Sequence, residues 1–397
     1  MKILLVASEW LPVPAVEGGA IETLVEAYLN YNEKIYHDSI DVYSIATKID
    51  IDLSNYQYTN FIYIKNNTFM YLLKKVYYKL INNVFKKYNG NAFLSDVLNS
   101  LKKRGTFNKY DLVLVENGVQ FIPILKKKLN CKIVLQLHND YLNHDFSYYK
   151  EVYDSCDKIL TVSDFISSRV NPVKNDKVST VHTGVNYAKF NKVVPVSDII
   201  QMREKYQISD NDLIFIYIGR IIPIKGVKEL VEAFNCLSKH YFNIKLLVVG
   251  SSSFKNAKES DYVKEVMSIA DGNNNIIFTG FIDNSELPIL YKFCDVAICP
   301  SICNDAYPLS PIEAIVSNKC VIATMNGGIP EIVNEQTGFL VDADNLKNNL
   351  IEVIDKIIKN PKLIIEKSNK SDKLRDKFDE VNYVDRLHKE LEKIWKK

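Results

Sequence analysis

An α/β chain of two Rossmann-like domains, each a doubly wound parallel sheet, is what this sequence predicts, and three observations carry the expectation. Short apolar runs alternate with amphipathic stretches along most of the chain. That alternation marks parallel βαβ units. Several runs are apolar at consecutive positions, as strands buried on both faces must be. Finally, 397 residues exceed what one hydrophobic core ordinarily fills, which favours two domains.

The elements follow in order. Ile3 to Ala7 reads as the first strand and Ile21 to Leu29 as the first helix. Asp41 to Ile45, Phe61 to Ile64, Leu112 to Glu116, Lys132 to Leu137 and Lys158 to Val162 read as further strands. The second half repeats the plan with Leu213 to Ile218, Lys245 to Val249, Ile276 to Thr279, Val296 to Ile298 and Cys320 to Thr324. Between the halves, Asn191 to Asp212 is mixed and polar, so a boundary is expected near residue 192. The expected domains are residues 1–191 and 192–372. Residues 373–397 are expected to form a charged amphipathic tail helix with Tyr383, Leu387, Leu391 and Trp395 on one face.

The composition is that of a soluble globular enzyme: 47% hydrophobic, 25% charged, net charge +2. No apolar run reaches the length of a membrane span. The apolar start is too short for a signal peptide and lacks a cleavage pattern. Seven scattered cysteines imply reduced thiols and a cytoplasmic location. Cys299 and Cys303 are close, but no second pair completes a metal site.

The charge is uneven. Residues 61–130 hold 13 Lys/Arg against 3 Asp/Glu, a patch that attracts phosphates. Within it, Phe69 to Tyr88 reads as a basic amphipathic helix. Phe69, Leu72, Leu73, Val76, Leu80, Ile81 and Val84 share a face, with Lys74, Lys75, Lys79, Lys86 and Lys87 mostly opposite. Two readings are open: a core-facing helix with a solvated lysine side, or a helix lying on an anionic membrane.

Gly18-Gly19 follows the first strand and precedes the first helix. Glycines there admit a ligand close to the backbone, and a helix N-terminus offers N–H groups to an anion; a simple turn is the alternative. Gly219-Arg220 ends the first strand of the second half, and Lys225-Gly226 precedes the next helix. Two cations at a strand–loop–helix junction suit a diphosphate, or they are solvated loop cations. Asp305 and Glu313 flank the loop into a further helix, in the crevice where open α/β sheets bind ligands. Ser310-Pro311-Ile312-Glu313 also fits a capping box, so Glu313 has a purely structural reading. His138 ends an apolar strand, either facing the cleft or satisfied within the structure. Asp342-Ala343-Asp344 has the outline of a metal motif but lies apart from these groups.

Taken in order, these residues resemble the retaining nucleotide-sugar glycosyltransferases of glycosyltransferase family 4, which have the GT-B fold. The resemblance covers essentially the whole chain. It includes Gly18-Gly19-Ala20-Ile21-Glu22, Leu137-His138, Val162-Ser163, and Val181-His182-Thr183-Gly184-Val185-Asn186 with Phe190. It continues through Gly219-Arg220, Lys225-Gly226, Phe278-Thr279-Gly280-Phe281, Pro300-Ser301, the Asp305 to Glu313 segment, Gly327-Gly328-Ile329-Pro330-Glu331 and Gly338-Phe339-Leu340.

The resemblance implies roles. Arg220 and Lys225 would hold the donor diphosphate, with Gly219 beside them. Glu313 would accept from the ribose hydroxyls and Asp305 from a hydroxyl of the donor sugar. The backbone at Tyr307 and Leu309 would contact the sugar, and the Phe281 region the base. Gly18 and Gly19 would let the first domain, on the acceptor side, approach the diphosphate, and His138 would stand near donor sugar and acceptor. Neither a metal nor a cofactor is implied. Three positions depart from the family's pattern: Asp305 where Glu is usual, Pro308 where glycine is common, and Thr183 where Asn is usual.

The expected activity is transfer of a sugar, with retention, from a nucleoside-diphosphate-sugar to a glycan or lipid-linked acceptor, in cell-surface polysaccharide synthesis. Phe69 to Tyr88 makes an anionic membrane surface the candidate partner, which would place the protein on the inner face of the cell membrane. No nucleic-acid partner is expected. The alternative is a non-catalytic, sugar-nucleotide-binding or scaffold relative with a degenerate site.

Overall fold

Seven parallel strands make the first sheet in the computed structural model: β1 (Lys2–Val6), β2 (Ser39–Ile45), β3 (Thr59–Ile64), β4 (Leu112–Glu116), β5 (Lys132–Leu137), β6 (Lys158–Thr161) and β7 (Val178–Thr180). Their order is β3-β2-β1-β4-β5-β6-β7. The structure describes residues 1–85, 88–171, 175–252, 260–372 and 375–397. Lys86, Lys87 and Lys373, which entered the readings of the basic helix and the tail, lie outside the described residues. The chain winds outward from β1 to β3 and then returns to lay β4 against the other side of β1. Val6 stands opposite Tyr43 on one side and Val115 on the other. Strand β7 has no counterpart in the sequence reading; three residues at a sheet edge are too few to set up a pattern.

A second sheet repeats this plan with β8 (Leu213–Ile218), β9 (Ile244–Val249), β10 (Ile276–Gly280), β11 (Val296–Cys299), β12 (Cys320–Thr324) and β13 (Gly338–Val341). Its order, β10-β9-β8-β11-β12-β13, again reverses beside its first strand. The helix Val227–Leu237 covers one face. Its buried residues Val227, Leu230, Val231, Phe234 and Leu237 follow the three-and-four spacing of a helix that buries one stripe. Phe234 meets Phe215 edge to face, with ring centroids 5.3 Å apart. Truncating either ring to alanine would cost about 3–5 kcal/mol.

The chain divides into two compact units, one of Met1–His182 with Tyr383–Lys397 and the other of Thr183–Asn382. The expectation had been a division near residue 192. The residues just before that point are held by the second unit. Val185 N–H donates to the Phe378 carbonyl at 2.9 Å and Glu380 N–H to the Val185 carbonyl at 3.0 Å. Phe190 meets Tyr291, and Asn191 Nδ2 donates to the Val316 carbonyl.

The tail forms the helix Glu380–Trp395. Tyr383, Val384, Leu387, Leu391 and Ile394 enter the core of the first unit beside Ile3, Leu5 and Leu112. Trp395, expected on that face, is exposed. Ile394 takes the inward position, because its spacing from Leu387 and Leu391 continues the buried stripe.

The basic helix runs Phe69–Phe85, and its orientation reverses one of the two readings. Tyr71, Lys74, Tyr78, Ile81 and Asn82 lie on the more protected side, while Phe69, Leu72, Leu73, Val76, Leu80 and Val84 are exposed. The side turned inward is held by polar contacts: Lys74 pairs with Asp96, and Asn82 Nδ2 donates to the Gly90 carbonyl at 3.0 Å. Among the described residues, no helix is long and apolar enough to cross a membrane.

Candidate active site

Ligands of open parallel sheets bind where the strand order reverses, beyond the carboxyl ends of the strands. In the second unit that point lies between β8 and β11. The loop Gly219–Gly226 leaves β8, and the loop Pro300–Pro308 leaves β11. Backbone bonds join them: Ile302 and Cys303 N–H both donate to the Ile224 carbonyl, at 2.9 and 3.2 Å. Gly226 makes this approach possible. It has φ 66°, and a Cβ there would stand 2.0 Å from the Pro300 carbonyl oxygen.

Lys225 and Asp305 meet on these loops. Lys225 Nζ donates to Asp305 Oδ2 at 2.5 Å, and Ser301 Oγ donates to the same oxygen at 2.6 Å. The end of β12 and the loop after it brace these residues. Thr324 Oγ1 donates to the Ser301 carbonyl at 2.6 Å, and Gly328 N–H donates to the Asp305 carbonyl at 2.7 Å. Both charged side chains keep partial solvent access. The arrangement is therefore a preorganised cation and anion within reach of an incoming ligand.

Glu313 belongs to the helix Leu309–Val316, whose N-cap is Pro308. The capping-box reading fails: the helix starts ahead of Ser310, and Pro308 has no N–H for Glu313 to reach. Glu313 is the fifth helical residue, just past the first turn. Tyr291 donates its hydroxyl to Glu313 Oε2 at 3.1 Å and to the Ser310 carbonyl at 3.2 Å. Burial pushes the Glu313 carboxyl above its ordinary pKa, with the Tyr291 bond and Lys189 opposing the shift. A ligand presenting hydroxyl donors would relieve that cost of ionisation.

The remaining second-unit candidates spread around this centre. Gly219 sits where β8 ends, and Arg220 beyond it is exposed. Tyr217 fixes the turn by donating to the Arg220 carbonyl at 2.7 Å. Tyr307 is buried and Leu309 opens its helix. Phe281 follows β10, two strands away from β8, and is exposed. Asp342 Oδ1 accepts from Asp344 N–H at 2.9 Å, a local turn that accounts for the Asp-x-Asp pattern.

The first unit has its own cluster at the corresponding reversal, between β1 and β4. His138, just past β5, bonds through Nε2 to Glu116 Oε2 at 2.7 Å, with both side chains almost wholly buried. His138 N–H donates to Asn117 Oδ1 at 2.8 Å, which fixes the turn beneath the ring. Ser8, beyond β1, donates to Glu22 Oε1 at 2.5 Å. Burial raises the Glu22 pKa, and Ser8, His138 and Glu116 all act on it electrostatically or by hydrogen bonding. Gly19, at φ 103°, leaves room for that carboxylate: a Cβ would stand 2.2 Å from Glu22 Oε2. Gly18 precedes it with φ 85°.

Glu116 carries a role that sequence reasoning missed. Its signal was an acid ending the otherwise apolar run Leu-Val-Leu-Val-Glu. Ser301, Tyr291 and Glu22 were likewise given no duty; single hydroxyls and one helix carboxylate have no spacing that marks them.

Two parallel-sheet Rossmann-like units with these reversals define the GT-B architecture. Anabaena HepE, solved in complex with UDP, superposes with a TM-score of 0.73 at 19% identity, covering 99% of this chain and 100% of that one. Residues 198–380 match the family described as glycosyl transferases group 1. The second unit thus carries the sequence pattern of the group 1 glycosyl transferases. YtcC of Bacillus subtilis (strain 168) is 26% identical over 376 residues, 92% of this chain and 85% of that protein. The lipopolysaccharide 1,2-N-acetylglucosaminetransferase of Salmonella typhimurium (strain LT2) is 26% identical over 267 residues, 66% of this chain and 67% of that one.

Proposed function

We propose that this glycosyltransferase moves a sugar from a nucleoside-diphosphate-sugar to a glycan or lipid-linked acceptor with retention of configuration, as family 4 enzymes do, in cell-surface polysaccharide assembly. The observation that carries the reading is the Lys225–Asp305 pair on the two loops leaving the β8/β11 reversal. A diphosphate recruits Lys225 and the exposed Arg220. Asp305, still held by Ser301, then turns its free acceptor capacity to a hydroxyl of the donor sugar. Lys225 exchanges one ion pair for another, and Asp305 keeps hydrogen bonds from Ser301 and the sugar in place of the lysine.

In the reaction, the bond between the anomeric carbon and the phosphate oxygen breaks as the acceptor oxygen bonds to that carbon on the same face. The acceptor's proton passes to the departing phosphate. Lys225 and Arg220 stabilise the charge that grows on the leaving group. Glu313 accepts from the ribose, the Phe281 loop meets the base, and the backbone at Tyr307 and Leu309 meets the sugar. Gly18, Gly19 and His138 remain the first unit's candidates. Positive charge comes from side chains in this reading, so turnover persists in EDTA.

Two comparisons support it: HepE was solved with UDP, and the Salmonella relative is named for lipopolysaccharide synthesis. A thermal-shift screen with uridine, guanosine and deoxythymidine diphosphate sugars tests the donor. One base class should stabilise the fold, and NMR of the transfer product should find the donor's anomeric configuration kept. No stabilisation by any donor, or an inverted product, would overturn the reading. Binding without turnover would mark the non-catalytic alternative.

A further inference from the structure

We propose that the outward side of helix Phe69–Phe85, together with Trp10, is a surface that inserts shallowly into an anionic lipid bilayer; the idea rests on the lipid-linked acceptor reading above. The helix turns its apolar residues to solvent. Phe69 and Val84, near its two ends, are each 73% exposed, and Leu72, Leu73, Val76 and Leu80 continue the stripe between them. This is not a core helix lacking its partner, because its other side is already packed and ion-paired to Asp96.

The charge pattern selects the occupant. The helix has no acidic residue, and Lys75 and Lys79 are both exposed on one flank of the stripe. A helix with a wide apolar arc bordered by cations lies in the plane of an anionic membrane, its lysines at the headgroups.

Trp10 extends the surface. It is 77% exposed. Its neighbour Glu9 accepts from Asn91 Nδ2 at 2.7 Å and lies within the electrostatic reach of Lys75, which places this loop beside the helix. Tryptophan settles at the headgroup level, where its ring is apolar and its N–H is wet. The same loop leads from β1 to Gly18-Gly19, so a membrane held here would lie along the loop that ends at that turn.

Flotation of the full chain tests this with vesicles of phosphatidylcholine alone and of phosphatidylcholine mixed with phosphatidylglycerol. The protein should float only with the anionic vesicles. Lys75→Glu with Lys79→Glu should weaken that binding at least about tenfold, and so should Val76→Ser with Leu80→Ser. In a Trp395→Phe background, the emission of Trp10 should shift to the blue on binding. Donor hydrolysis in vesicle-free solution should be unchanged in all these variants. Absence of flotation with anionic vesicles, or charge-reversed protein that floats as well as the parent, would overturn the proposal. So would a concentration-dependent dimer, abolished by Leu80→Ser, in a protein that does not float. Flotation without donor hydrolysis supports the surface and fails the transfer reading instead.

Discussion

The two units share a sheet plan and differ in what they place at the reversal. In the first unit the group is acidic and enclosed: Glu22, Glu116 and His138, with Ser8. In the second it is half open: Lys225 pairs with Asp305, Arg220 is exposed beyond β8, and Glu313 in the following helix is held by Tyr291. The same position in a doubly wound sheet thus carries a different balance of charge in the two units. Loops set them: the second unit's come within a carbonyl's reach of each other, whereas the first unit's reversal is filled by carboxylates and an imidazole. An anion is matched to the second; the first suits groups that donate hydrogen bonds.

The strongest challenge to this contrast is Lys225→Ala. It removes the proposed diphosphate ligand and leaves Asp305 without its cation, held by Ser301 alone. Turnover should fall about 10²–10³-fold, on the order of 2.7–4 kcal/mol in the transition state. Steady-state kinetics with the donor found in the screen check this, and near-normal turnover would return Lys225 to the status of a solvated cation.

Gly226→Ala asks whether the second site depends on loop contact. The new Cβ meets the Pro300 carbonyl, and the backbone keeps a positive φ. We expect a loss of about 1–3 kcal/mol of stability, measured by denaturant unfolding, with weaker donor binding because the Ile224 bonds to Ile302 and Cys303 are pushed apart.

Glu116→Gln probes the first unit. With Glu116 ionised, its oxygen must accept, so His138 carries its proton on Nε2 and presents Nδ1 elsewhere. The amide preserves shape but not that constraint. Turnover should fall about tenfold, the equivalent of one hydrogen bond to a charged group. Donor affinity by calorimetry should be unchanged. An equal fall in affinity would dissolve the distinction between the units.

The smallest expected effect concerns pH. Glu313 has a raised pKa because it is buried, so it protonates at a higher pH than an ordinary glutamate. Donor affinity should therefore weaken on acidification earlier than an unperturbed carboxylate would allow, and Glu313→Gln should flatten that limb in titration calorimetry. Stability has the opposite sign. A carboxyl with a folded pKa above its unfolded one contributes stability while protonated, and that contribution is lost as pH rises through the folded pKa.

Much of this architecture was readable from residues alone, for a physical reason. Buried parallel strands need apolar runs, and the helices between them need a stripe, so β8 and the Val227–Leu237 helix announced themselves. The loops were readable where glycine and charge coincide, at Lys225-Gly226. Direction was not. The periodicity of Phe69–Phe85 says which residues share a side but not whether that side meets protein or water. Nor does spacing reveal pairing across sequence: Lys225 and Asp305 were assigned different duties, yet they share one contact, with Ser301 as the third member.

The helix Glu380–Trp395 completes the first unit's core with residues that follow the whole second unit in the chain. Tyr383, Val384, Leu387 and Leu391 pack beside strands synthesised before the second unit. During translation the first unit therefore waits for the second to be made in full, and its unfinished apolar surface stays open throughout. Domains commonly fold in order of synthesis; here that order is blocked by a core that draws on chain from both sides of the second unit. Removing the tail would leave a first unit unable to finish folding, whatever the state of the second.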